Sequence, residues 1–222
     1  MNDSVIISAT NLKRSYQIGK NHIEVLRGID ININRSEKVF LCGPSGAGKT
    51  TLMYTLAALE APETGQVLID TIDVYKLGRT QQAKLRNEYI SYIFQNYYLL
   101  PELTAIENVK IPAMIGGKDL TEKGMEALKR VGLENRAEHL PSELSGGEQQ
   151  RVAIARAIIN KPKIIFADEP TGNLDSRNGG QVMEMLVNLT EEDGTTLVVV
   201  THDPSLATLG SRTLTVVDGK ID

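Results

Sequence analysis

Residues 43–50 read GPSGAGKT, and the expected architecture follows from this short stretch. The stretch matches the pattern G-x-x-x-x-G-K-[S/T] at every fixed position. The apolar segment Lys38–Cys42 precedes it, and the helix-forming segment Thr50–Leu59 follows it. A strand, a glycine-rich loop and a helix in this order form a phosphate-binding loop, so the sequence predicts a nucleotide site here.

The residue types in this loop have distinct predicted tasks. Gly43, Gly46 and Gly48 allow backbone dihedrals that direct N–H groups toward phosphate oxygens. Lys49 supplies a positive charge for the β- and γ-phosphates, and the Thr50 hydroxyl is a ligand for Mg²⁺. The predicted phosphate-binding residues are Gly43, Pro44, Ser45, Gly46, Ala47, Gly48, Lys49, Thr50 and Thr51.

Hydrophobic patterns predict an α/β fold. The continuously apolar segments, typical of strands buried on both faces of a mainly parallel sheet, are Val39–Leu41, Ile164–Ala167 and Leu197–Val200. Alternating segments at 4–9, 23–33 and 66–70 favour half-buried strands. Helical patterns separate the apolar segments, and the stretch from about 97 to 160 contains only helical patterns. We therefore expect a helical insert in an α/β core.

Local signals mark several boundaries. Thr104 with Glu107, and Ser145 with Glu148, match the capping-box pattern at a helix start. Asp218-Gly219, between TLTVV and KID, suits a tight hairpin turn. These signals depend only on neighbouring residues, so they predict where elements begin rather than how they pack.

The composition limits the classes of function. The chain has 222 residues, with 24 Lys and Arg against 28 Asp and Glu, for a net charge of −4. A protein that coats nucleic acid or lies on anionic lipid needs a cationic face, so neither is expected. Apolar runs are short, whereas a bilayer span needs about 20 residues, and the N-terminus lacks the order of a secretory signal. We expect a cytoplasmic chain without direct membrane insertion.

The single cysteine, Cys42, permits no internal disulfide and no multi-cysteine zinc site. Its apolar neighbours on the preceding strand favour a small buried core residue over a reactive thiol. We therefore expect no cysteine chemistry.

A second candidate site lies about 120 residues after the loop. The apolar segment Ile164–Ala167 leads directly into Asp168 and Glu169. Ligands of parallel α/β sheets bind at the carboxyl ends of strands, so Asp168 is expected to hold Mg²⁺ through its water shell. Glu169, on the opposite strand face or in the turn, is the expected general base toward water. An acidic strand end without function is the alternative.

A glycine pair precedes the predicted helix Gln150–Ile159. Each glycine costs a helix about 1 kcal/mol relative to alanine, so some other requirement favours bare backbone there. An anion close to the helix N-terminus is the natural candidate, contributed by a second subunit because the first loop already surrounds the triphosphate. The residues of this signature are Leu144, Ser145, Gly146, Gly147, Glu148 and Gln149.

The combination of GPSGAGKT, FADEP and LSGGEQ resembles the nucleotide-binding subunits of ATP-binding cassette (ABC) transporters. The resemblance implies a P-loop NTPase (RecA-like) fold with a mainly parallel core, a small antiparallel β subdomain and a helical insert. It implies one ABC ATPase domain over 1–222. Residues 1–95 and 160–222 form the nucleotide-binding core in this interpretation, and 96–159 form the helical subdomain with the signature.

The resemblance also implies residue roles. Tyr16 stacks on adenine, Gln95 contacts Mg²⁺ and the attacking water, and His202 contacts the γ-phosphate. Asp175 lies in the GNLD loop that crosses the dimer interface, and Mg²⁺ is held by Thr50, Gln95 and Asp168. Taken singly, these residues have simpler interpretations: a strand tyrosine, a polar loop residue, a structural histidine and a helix N-cap.

The stretches 93–118, 139–157 and 168–180 resemble ATPases of bacterial lipoprotein-releasing systems. The ATPases of macrolide and peptide exporters and FtsE-type division complexes are related. The finer resemblance implies an ATP- and Mg²⁺-dependent homodimer beneath two integral membrane subunits of the LolC and LolE kind. It implies a peripheral position on the cytoplasmic face of the inner membrane. Substrate, membrane partners and transport direction are left open by the residues themselves.

Rival functions leave some of these motifs without a purpose. A GTPase normally carries N-K-x-D, whereas Asn160-Lys161-Pro162-Lys163 lacks the Asp, and neither a GTPase nor a small kinase needs LSGGE. A soluble ABC ATPase of translation or DNA repair usually fuses two cassettes or inserts a coiled coil. The apolar cluster Tyr97–Leu100 fits two alternatives, filling of the helical insert or a docking patch for a membrane subunit.

Overall fold

The computed structural model describes residues 4–19, 21–117 and 121–222, so Lys118, the last residue of the 93–118 stretch, lies outside the described residues. The chain divides into two compact units. Unit 1 comprises residues 1–86 and 196–222, and unit 2 comprises residues 87–195. The helical subdomain predicted over 96–159 lies within unit 2, and its boundaries remain a prediction.

The described chain contains ten strands and seven α-helices. The strands are β1 Val5–Ile18, β2 Asn21–Asn34, β3 Lys38–Cys42, β4 Thr64–Ile69, β5 Ile72–Asp73, β6 Ile90–Phe94, β7 Ile164–Asp168, β8 Thr196–Val200, β9 Arg212–Val217 and β10 Lys220–Ile221. The helices are α1 Lys49–Leu56, α2 Arg79–Tyr89, α3 Ala105–Ile115, α4 Thr121–Arg130, α5 Gly146–Ile158, α6 Ser176–Glu192 and α7 Pro204–Ala207. Short 3₁₀ turns lie at Glu134–Arg136 and Pro141–Glu143.

Unit 1 contains two kinds of β structure. An antiparallel sheet has the order β2-β1-β4-β5, and it is the small antiparallel part that the sequence predicts. A second set has the order β10-β9-β3-β8, in which β3 runs parallel to both β8 and β9. The residues Val39–Leu41 of β3 and Leu197–Val200 of β8 are completely buried, which confirms the interpretation of continuously apolar segments as doubly covered strands.

Unit 2 places helices around a parallel strand pair. β6 runs parallel to β7, and the segment Ile164–Ala167 is completely buried. Between 97 and 160 the described residues form helices and turns, as predicted. Thr104 caps α3 with Glu107 in a reciprocal capping box. The α/β fold class with a helical insert is therefore confirmed.

The helix after the phosphate-binding loop is shorter than predicted. It ends at Leu56 rather than Leu59, and Ala58 has a left-handed φ of 55°. Tertiary contacts replace the missing helical ones, since the Tyr75 hydroxyl lies 2.7 Å from the Thr55 carbonyl oxygen and Arg86 donates to the Ala58 carbonyl oxygen. The helical propensity of these residues is thus overridden by groups distant in the sequence.

The predicted burial of Cys42 is only partly right. Its side chain is half-buried rather than in the core, because β3 ends there and the chain turns into the loop. Burial raises the pKa of the Cys42 thiol, against a smaller opposite effect of Lys49. The thiol is therefore protonated at neutral pH and a poor nucleophile.

Candidate functional site

The phosphate-binding loop has the backbone that its glycines predict. Gly43, Gly46 and Gly48 have φ angles of 139°, 80° and 98°, a region that favours glycine. A β-carbon on Gly43 would lie 2.1 Å from the Val216 carbonyl oxygen, so this position also excludes a side chain. Gly48 is the N-cap of α1, and the first N–H groups of the helix therefore open onto the loop.

The side chain of Lys49 is hydrogen-bonded to the backbone of the phosphate-binding loop. The residue is 7% exposed, and its Nζ donates to the carbonyl oxygens of Gly43 and Pro44, both at 2.8 Å. A buried ammonium requires such acceptors, because an unpaired charge is costly to remove from water. An ammonium has three N–H donors, so these carbonyls orient the charge and leave a donor for a phosphate oxygen.

The β9–β10 hairpin supports the loop from behind. The Gly219 N–H donates to the Ala47 carbonyl oxygen at 3.1 Å. Asp218 and Gly219 have φ angles of 45° and 74°, as expected for a two-residue type I′ turn. The predicted hairpin is confirmed, and it also fixes the position of the loop.

His202 emerges at the same edge of unit 1 as the loop. Leu41 of β3 lies opposite Val200 of β8, and the Thr201 N–H donates to the Leu41 carbonyl oxygen at 3.2 Å. His202 follows at once and is exposed. The neighbouring strands therefore deliver the loop and the histidine to one edge, where ligands of parallel sheets bind.

Tyr16 on β1 is held through its hydroxyl and through one face of its ring. Its hydroxyl donates to Glu60 Oε2 at 2.7 Å. The guanidinium carbon of Arg14 lies 5.0 Å from the ring centroid, and Arg14 Nη2 is 2.7 Å from Glu60 Oε1. The side chain is half-buried, so part of the ring is exposed to solvent.

The acidic pair lies at the carboxyl end of the strand pair in unit 2. Phe94 of β6 lies opposite Asp168 of β7, so Gln95 and Glu169 follow at neighbouring strand ends. Glu169 has a φ of 44° and has left the strand. Of the two placements that the sequence allows, the turn is therefore correct.

Gln95 is bonded to the loop that carries Glu169. The Asn173 amide donates to the Gln95 carbonyl oxygen at 2.9 Å and to Asn96 Oδ1 at 3.2 Å. The Gln95 amide donates to Asn173 Oδ1 at 3.4 Å, and the Gly172 N–H donates to the Glu169 carbonyl at 3.0 Å. The two predicted catalytic residues of unit 2 therefore belong to one hydrogen-bonded group.

The predicted signature forms the start of α5. The Glu148 carboxylate accepts from the Ser145 N–H at 2.9 Å and from its hydroxyl at 2.7 Å, and the Glu148 N–H donates back to that hydroxyl at 3.3 Å. The predicted capping box is confirmed. The helix begins at Gly146, four residues before the predicted start at Gln150, because both glycines belong to its first turn.

A groove of about 400 Å³ connects the signature with the loop before α6. A β-carbon on Gly147 would have no neighbour within 4 Å, so the first turn of α5 is open on this side. The residues that line the groove from the predicted sites are Ser145, Gly146, Gly147, Asn173, Leu174 and Asp175. The structure thus brings the signature and the predicted dimer loop together within unit 2.

Asp175, which lines this groove, and Glu148, in the first turn of α5, both stabilise a helix start. Backbone and side-chain hydrogen bonds from Ser145 lower the pKa of Glu148. Asp175 is the N-cap of α6, and hydrogen bonds from the backbone and side chain of Asn178 lower its pKa. Both groups are therefore negative at neutral pH, where they stabilise the positive ends of their helices.

The loop after Gln95 is fastened to α5. Tyr97 and Tyr98 have left-handed φ angles of 58° and 46°. Arg156 donates to the Tyr97 carbonyl oxygen at 2.5 Å and to that of Tyr98 at 2.6 Å. A β-carbon on Gly146 would lie 3.3 Å from the Tyr97 hydroxyl, so the same loop also contacts the signature.

The apolar cluster Tyr97–Leu100 does not fill the helical insert. Tyr98 is 61% exposed and Leu100 is 48% exposed, whereas Tyr97 and Leu99 are half-buried. Asn108 is completely buried and exchanges hydrogen bonds with the backbone of Leu100, at 2.8 Å and 3.1 Å. Two apolar side chains are therefore presented by a loop whose backbone is fixed.

The donor set predicted for Mg²⁺ consists of oxygen ligands only. A hydroxyl of Thr50, a side-chain amide of Gln95 and a carboxylate of Asp168 suit this ion, which prefers hard oxygen donors. Among the described residues, no cluster of three or more His, Cys, Asp or Glu side chains could hold a metal ion. The set of one hydroxyl, one amide and one carboxylate fits an ion that is held largely by phosphates and water.

Several residues that support the site belong to no sequence motif and were not predicted. Asn173, Arg156 and Glu60 hold Gln95, the following loop and Tyr16, respectively, across separations of 44 to 78 residues. Arg156 alone has a sequence signal, because a charged residue interrupts the apolar face of α5. Gln95, Asp168, Glu169 and His202 lie at or just after strand ends, Tyr16 lies within β1, and the signature glycines lie in the first turn of α5.

Comparisons with known proteins show the family and the fold. The family model for ABC transporters matches residues 26–172. The chain therefore belongs to the ABC transporter family, as one of its ATP-hydrolysing cassettes. Over the described residues, no helix has the length and apolarity needed to span a bilayer.

Individual relatives extend over nearly the whole chain. The chain is 46% identical over 217 residues to the lipoprotein-releasing system ATP-binding protein LolD of Shewanella frigidimarina (strain NCIMB 400), covering 96% of this chain and 91% of that protein. It is 48% identical over 202 residues to LolD of Bacteroides fragilis (strain YCH46), covering 90% and 94%.

A solved cassette has the same fold. The dimeric structure of MJ0796, a bacterial ABC transporter cassette, has a TM-score of 0.90 at 41% identity, covering 98% of this chain and 97% of that chain. A dimeric post-hydrolysis state of MJ0796 bound to ADP and Pi has a TM-score of 0.89 at 40% identity, with the same coverage.

Proposed function

We propose that this ATPase powers the release of lipoproteins from the bacterial inner membrane. Two copies work beneath two integral membrane subunits of the LolC and LolE kind, at the cytoplasmic face. The observation that carries the proposal is the similarity to LolD proteins over at least 90% of both chains. The ATPases of macrolide exporters, peptide exporters and division complexes are the rival assignments within the same family.

Reconstitution tests whether lipoproteins are the transported substrate. Purified protein is combined with LolC- and LolE-type subunits in proteoliposomes that contain an acylated lipoprotein, and the lipoprotein transferred to a soluble acceptor is measured. ATP-dependent release supports the proposal. ATP hydrolysis without release, or failure to assemble with these subunits, contradicts it and favours another exporter.

The proposed chemistry assigns each nucleotide contact to a residue of this chain. Lys49 and the loop N–H groups bind the β- and γ-phosphates, and Tyr16 stacks on adenine. Glu169 accepts a proton from the attacking water as the water oxygen bonds to the γ-phosphorus and the bridging bond to ADP breaks. His202 contacts the γ-phosphate at the sheet edge that it shares with the loop.

Thr50, Gln95 and Asp168 are the proposed ligands of Mg²⁺, directly or through water. When bound, the ion neutralises charge on the β- and γ-phosphates and orients them for in-line attack. The hydrogen bonds of Gln95 with Asn173 fix its backbone, and the loop that carries Glu169 is part of the same group. Metal contact and general base are thus positioned together.

The signature is proposed to close over the triphosphate of a second copy. Gly147 leaves the first turn of α5 open to the groove, and the helix N-terminus attracts an anion. Capping by Ser145 and Glu148 stabilises the helix despite its two glycines. Dimerisation therefore depends on bound nucleotide, as it supplies the negative charge that both copies contact.

The variant Glu169→Gln tests both the role of Glu169 as general base and nucleotide-dependent dimerisation. Glu169→Gln keeps the shape of the side chain but cannot accept the proton, so we expect ATP binding, very slow hydrolysis and a stable nucleotide-bound dimer. Light scattering with and without ATP measures the dimer. Near-normal turnover would assign the base to another residue. Gly147→Asp is the matched variant, expected to bind ATP but remain monomeric, because a carboxylate then faces phosphate.

The exposed side chains of Tyr98 and Leu100 are the proposed contact for a cytoplasmic segment of a membrane subunit. A fixed backbone that presents apolar groups to solvent suits a protein interface. Tyr98→Glu should abolish assembly with the membrane subunits and leave ATP binding and the melting temperature unchanged. Retained assembly would place the contact elsewhere, and loss of folding would favour a role in the core.

A further inference from the structure

In unit 1, the carboxylate of Glu60 contacts both the Tyr16 hydroxyl and the Arg14 guanidinium that lies over the Tyr16 ring. Glu60 Oε2 accepts the Tyr16 hydroxyl at 2.7 Å, and Glu60 Oε1 accepts Arg14 Nη2 at 2.7 Å. The Arg14 guanidinium in turn lies over the ring, 5.0 Å from its centroid. The three side chains therefore form a closed group, which we name the Tyr16 clamp.

The ring face opposite Arg14 is the one that we assign to a ligand. An aromatic ring has two faces, and the Arg14 guanidinium lies over one of them. A cation on that face draws electron density from the ring, which favours stacking of an electron-rich base on the opposite face. Burial by itself would lower the pKa of Arg14, but the hydrogen bond and negative charge of Glu60, together with the nearby Tyr16, outweigh burial and raise it, so the cation is permanent.

Glu60 is anchored to the helix that begins in the phosphate-binding loop. The Tyr75 hydroxyl donates to the carbonyl oxygen of Glu60 at 2.6 Å, and lies 2.7 Å from that of Thr55 in α1. The Glu60 N–H donates to the carbonyl oxygen of Tyr54, also in α1, at 3.2 Å. The clamp is thus fixed to the carboxyl end of the helix whose amino end begins with Lys49.

This connection sets a distance that matters for ATP. α1 has eight residues, about 12 Å at 1.5 Å per residue. Adenine and the β- and γ-phosphates are parts of one molecule, so ring and loop must keep a fixed separation to bind both. A ring that rotates freely about its χ1 and χ2 angles would lose entropy on binding, and a clamped ring does not.

We propose that Glu60 and Arg14 are positioning residues that hold the Tyr16 ring for stacking on adenine and so determine how much the base contributes to ATP affinity. The inference rests on the proposed role of Tyr16. Stacking of a base on an aromatic side chain contributes about fivefold to 150-fold in affinity. Loss of the clamp therefore removes part of that factor, about three- to tenfold.

The test compares two ligands that share the phosphate contacts. Dissociation constants for Mg-ATP and for inorganic triphosphate are measured by calorimetry for each variant. Glu60→Gln should raise the dissociation constant for Mg-ATP about three- to tenfold and leave that for inorganic triphosphate unchanged. Tyr16→Phe removes the hydroxyl contact and keeps the contact of Glu60 with Arg14, so its loss of ATP affinity should be no larger than that of Glu60→Gln, and the double variant should bind ATP no more weakly than Glu60→Gln alone.

The matched control is Glu63→Gln, three residues along the same segment. Its carboxylate accepts from the N–H and hydroxyl of Ser15, whereas the Tyr16 hydroxyl donates to Glu60. Both dissociation constants should be unchanged. An equal loss of ATP affinity in this variant would mean that any charge change in the segment perturbs the site, and would overturn the role of the clamp.

Tyr16→Ala separates this inference from the proposed function. If this variant weakens ATP but Glu60→Gln does not, the ring stacks on adenine without needing the clamp, and the inference is wrong. If Tyr16→Ala leaves the ratio of the two constants unchanged, the proposed adenine contact itself is wrong. Melting temperatures within 2–3 °C of the parent, about 1 kcal/mol or less, are required of every variant.

Discussion

Gly172 lies so close to Gln95 that a β-carbon on it would be 2.7 Å from the Gln95 amide nitrogen and 3.3 Å from its Cγ. A real β-carbon does not tolerate such contacts, so an alanine at 172 must move the side chain of Gln95. If Gln95 contacts Mg²⁺ and water, Gly172→Ala should lower kcat about tenfold or more and leave the KM for ATP unchanged, since outer-shell changes at metal sites typically cost 10- to 100-fold.

Steady-state kinetics of Gly172→Ala and Gly180→Ala test this relationship. Gly180 lies in α6, and a β-carbon there would have no neighbour within 4 Å. Alanine at 180 should therefore leave kcat unchanged and, as a better helix former, raise stability slightly. Unchanged kcat in both variants would remove Gln95 from the catalytic group.

Arg156 connects α5 with the loop after Gln95, and a lysine cannot replace it there. A lysine has one nitrogen, whereas the two guanidinium nitrogens reach the separate carbonyls of Tyr97 and Tyr98. Charged hydrogen bonds contribute about 1.5–3 kcal/mol, so Arg156→Lys should lower the free energy of unfolding by about 1–3 kcal/mol. Urea denaturation measures it, with the exposed Arg177→Lys as the control. Equal midpoints would show that the left-handed backbone is stable without the hydrogen bonds of Arg156.

The capping box of α5 makes a pH-dependent contribution to stability. Hydrogen bonds from Ser145 lower the pKa of Glu148 in the folded state, so its charged form stabilises the fold. This stability is fully present above the ordinary glutamate pKa of about 4.3 and is lost as the pH falls through the lowered value. Glu148→Gln, which keeps the capping shape, should be about 0.5–1 kcal/mol less stable at pH 7. The difference from the parent should shrink as the pH falls through the lowered pKa of Glu148, and a constant difference at all pH values would exclude the charge as its cause.

The predictable parts of the molecule are those determined by neighbouring residues. The spacing within 43–50 predicts the loop, and the Ser145–Glu148 spacing predicts the capping box, because each depends on one turn of chain. The continuously apolar segments predict the buried strands for the same reason.

The parts that could not be predicted depend on contacts between distant residues. The end of α1 at Leu56 depends on Tyr75 and Arg86, which replace helical hydrogen bonds. Gly172 requires the absence of a side chain because of Gln95, 77 positions earlier, and nothing in the local pattern indicates this approach. Tertiary packing, rather than propensity, determines these features.

Glycine is required at Gly43 and Gly46 for different reasons, a positive φ angle at both and a close backbone approach at Gly43 alone. Both have positive φ angles, 139° and 80°, but only Gly43 approaches another backbone, since its β-carbon would lie 2.1 Å from the Val216 carbonyl oxygen. A β-carbon on Gly46 would have no neighbour within 4 Å. Gly46→Ala should therefore cost only the strain of a positive φ, about 1 kcal/mol in the free energy of unfolding.

Gly43→Ala adds a collision with the β9 backbone, which cannot yield like a flexible side chain. We expect a loss of at least about 3 kcal/mol, measured by thermal and urea unfolding without nucleotide, so that phosphate contacts do not contribute. The displaced loop also moves the carbonyl oxygen that holds Lys49 Nζ at 2.8 Å, so ATP affinity should fall at least tenfold in the folded fraction. Equal stability losses in the two variants would mean that β9 does not constrain the loop.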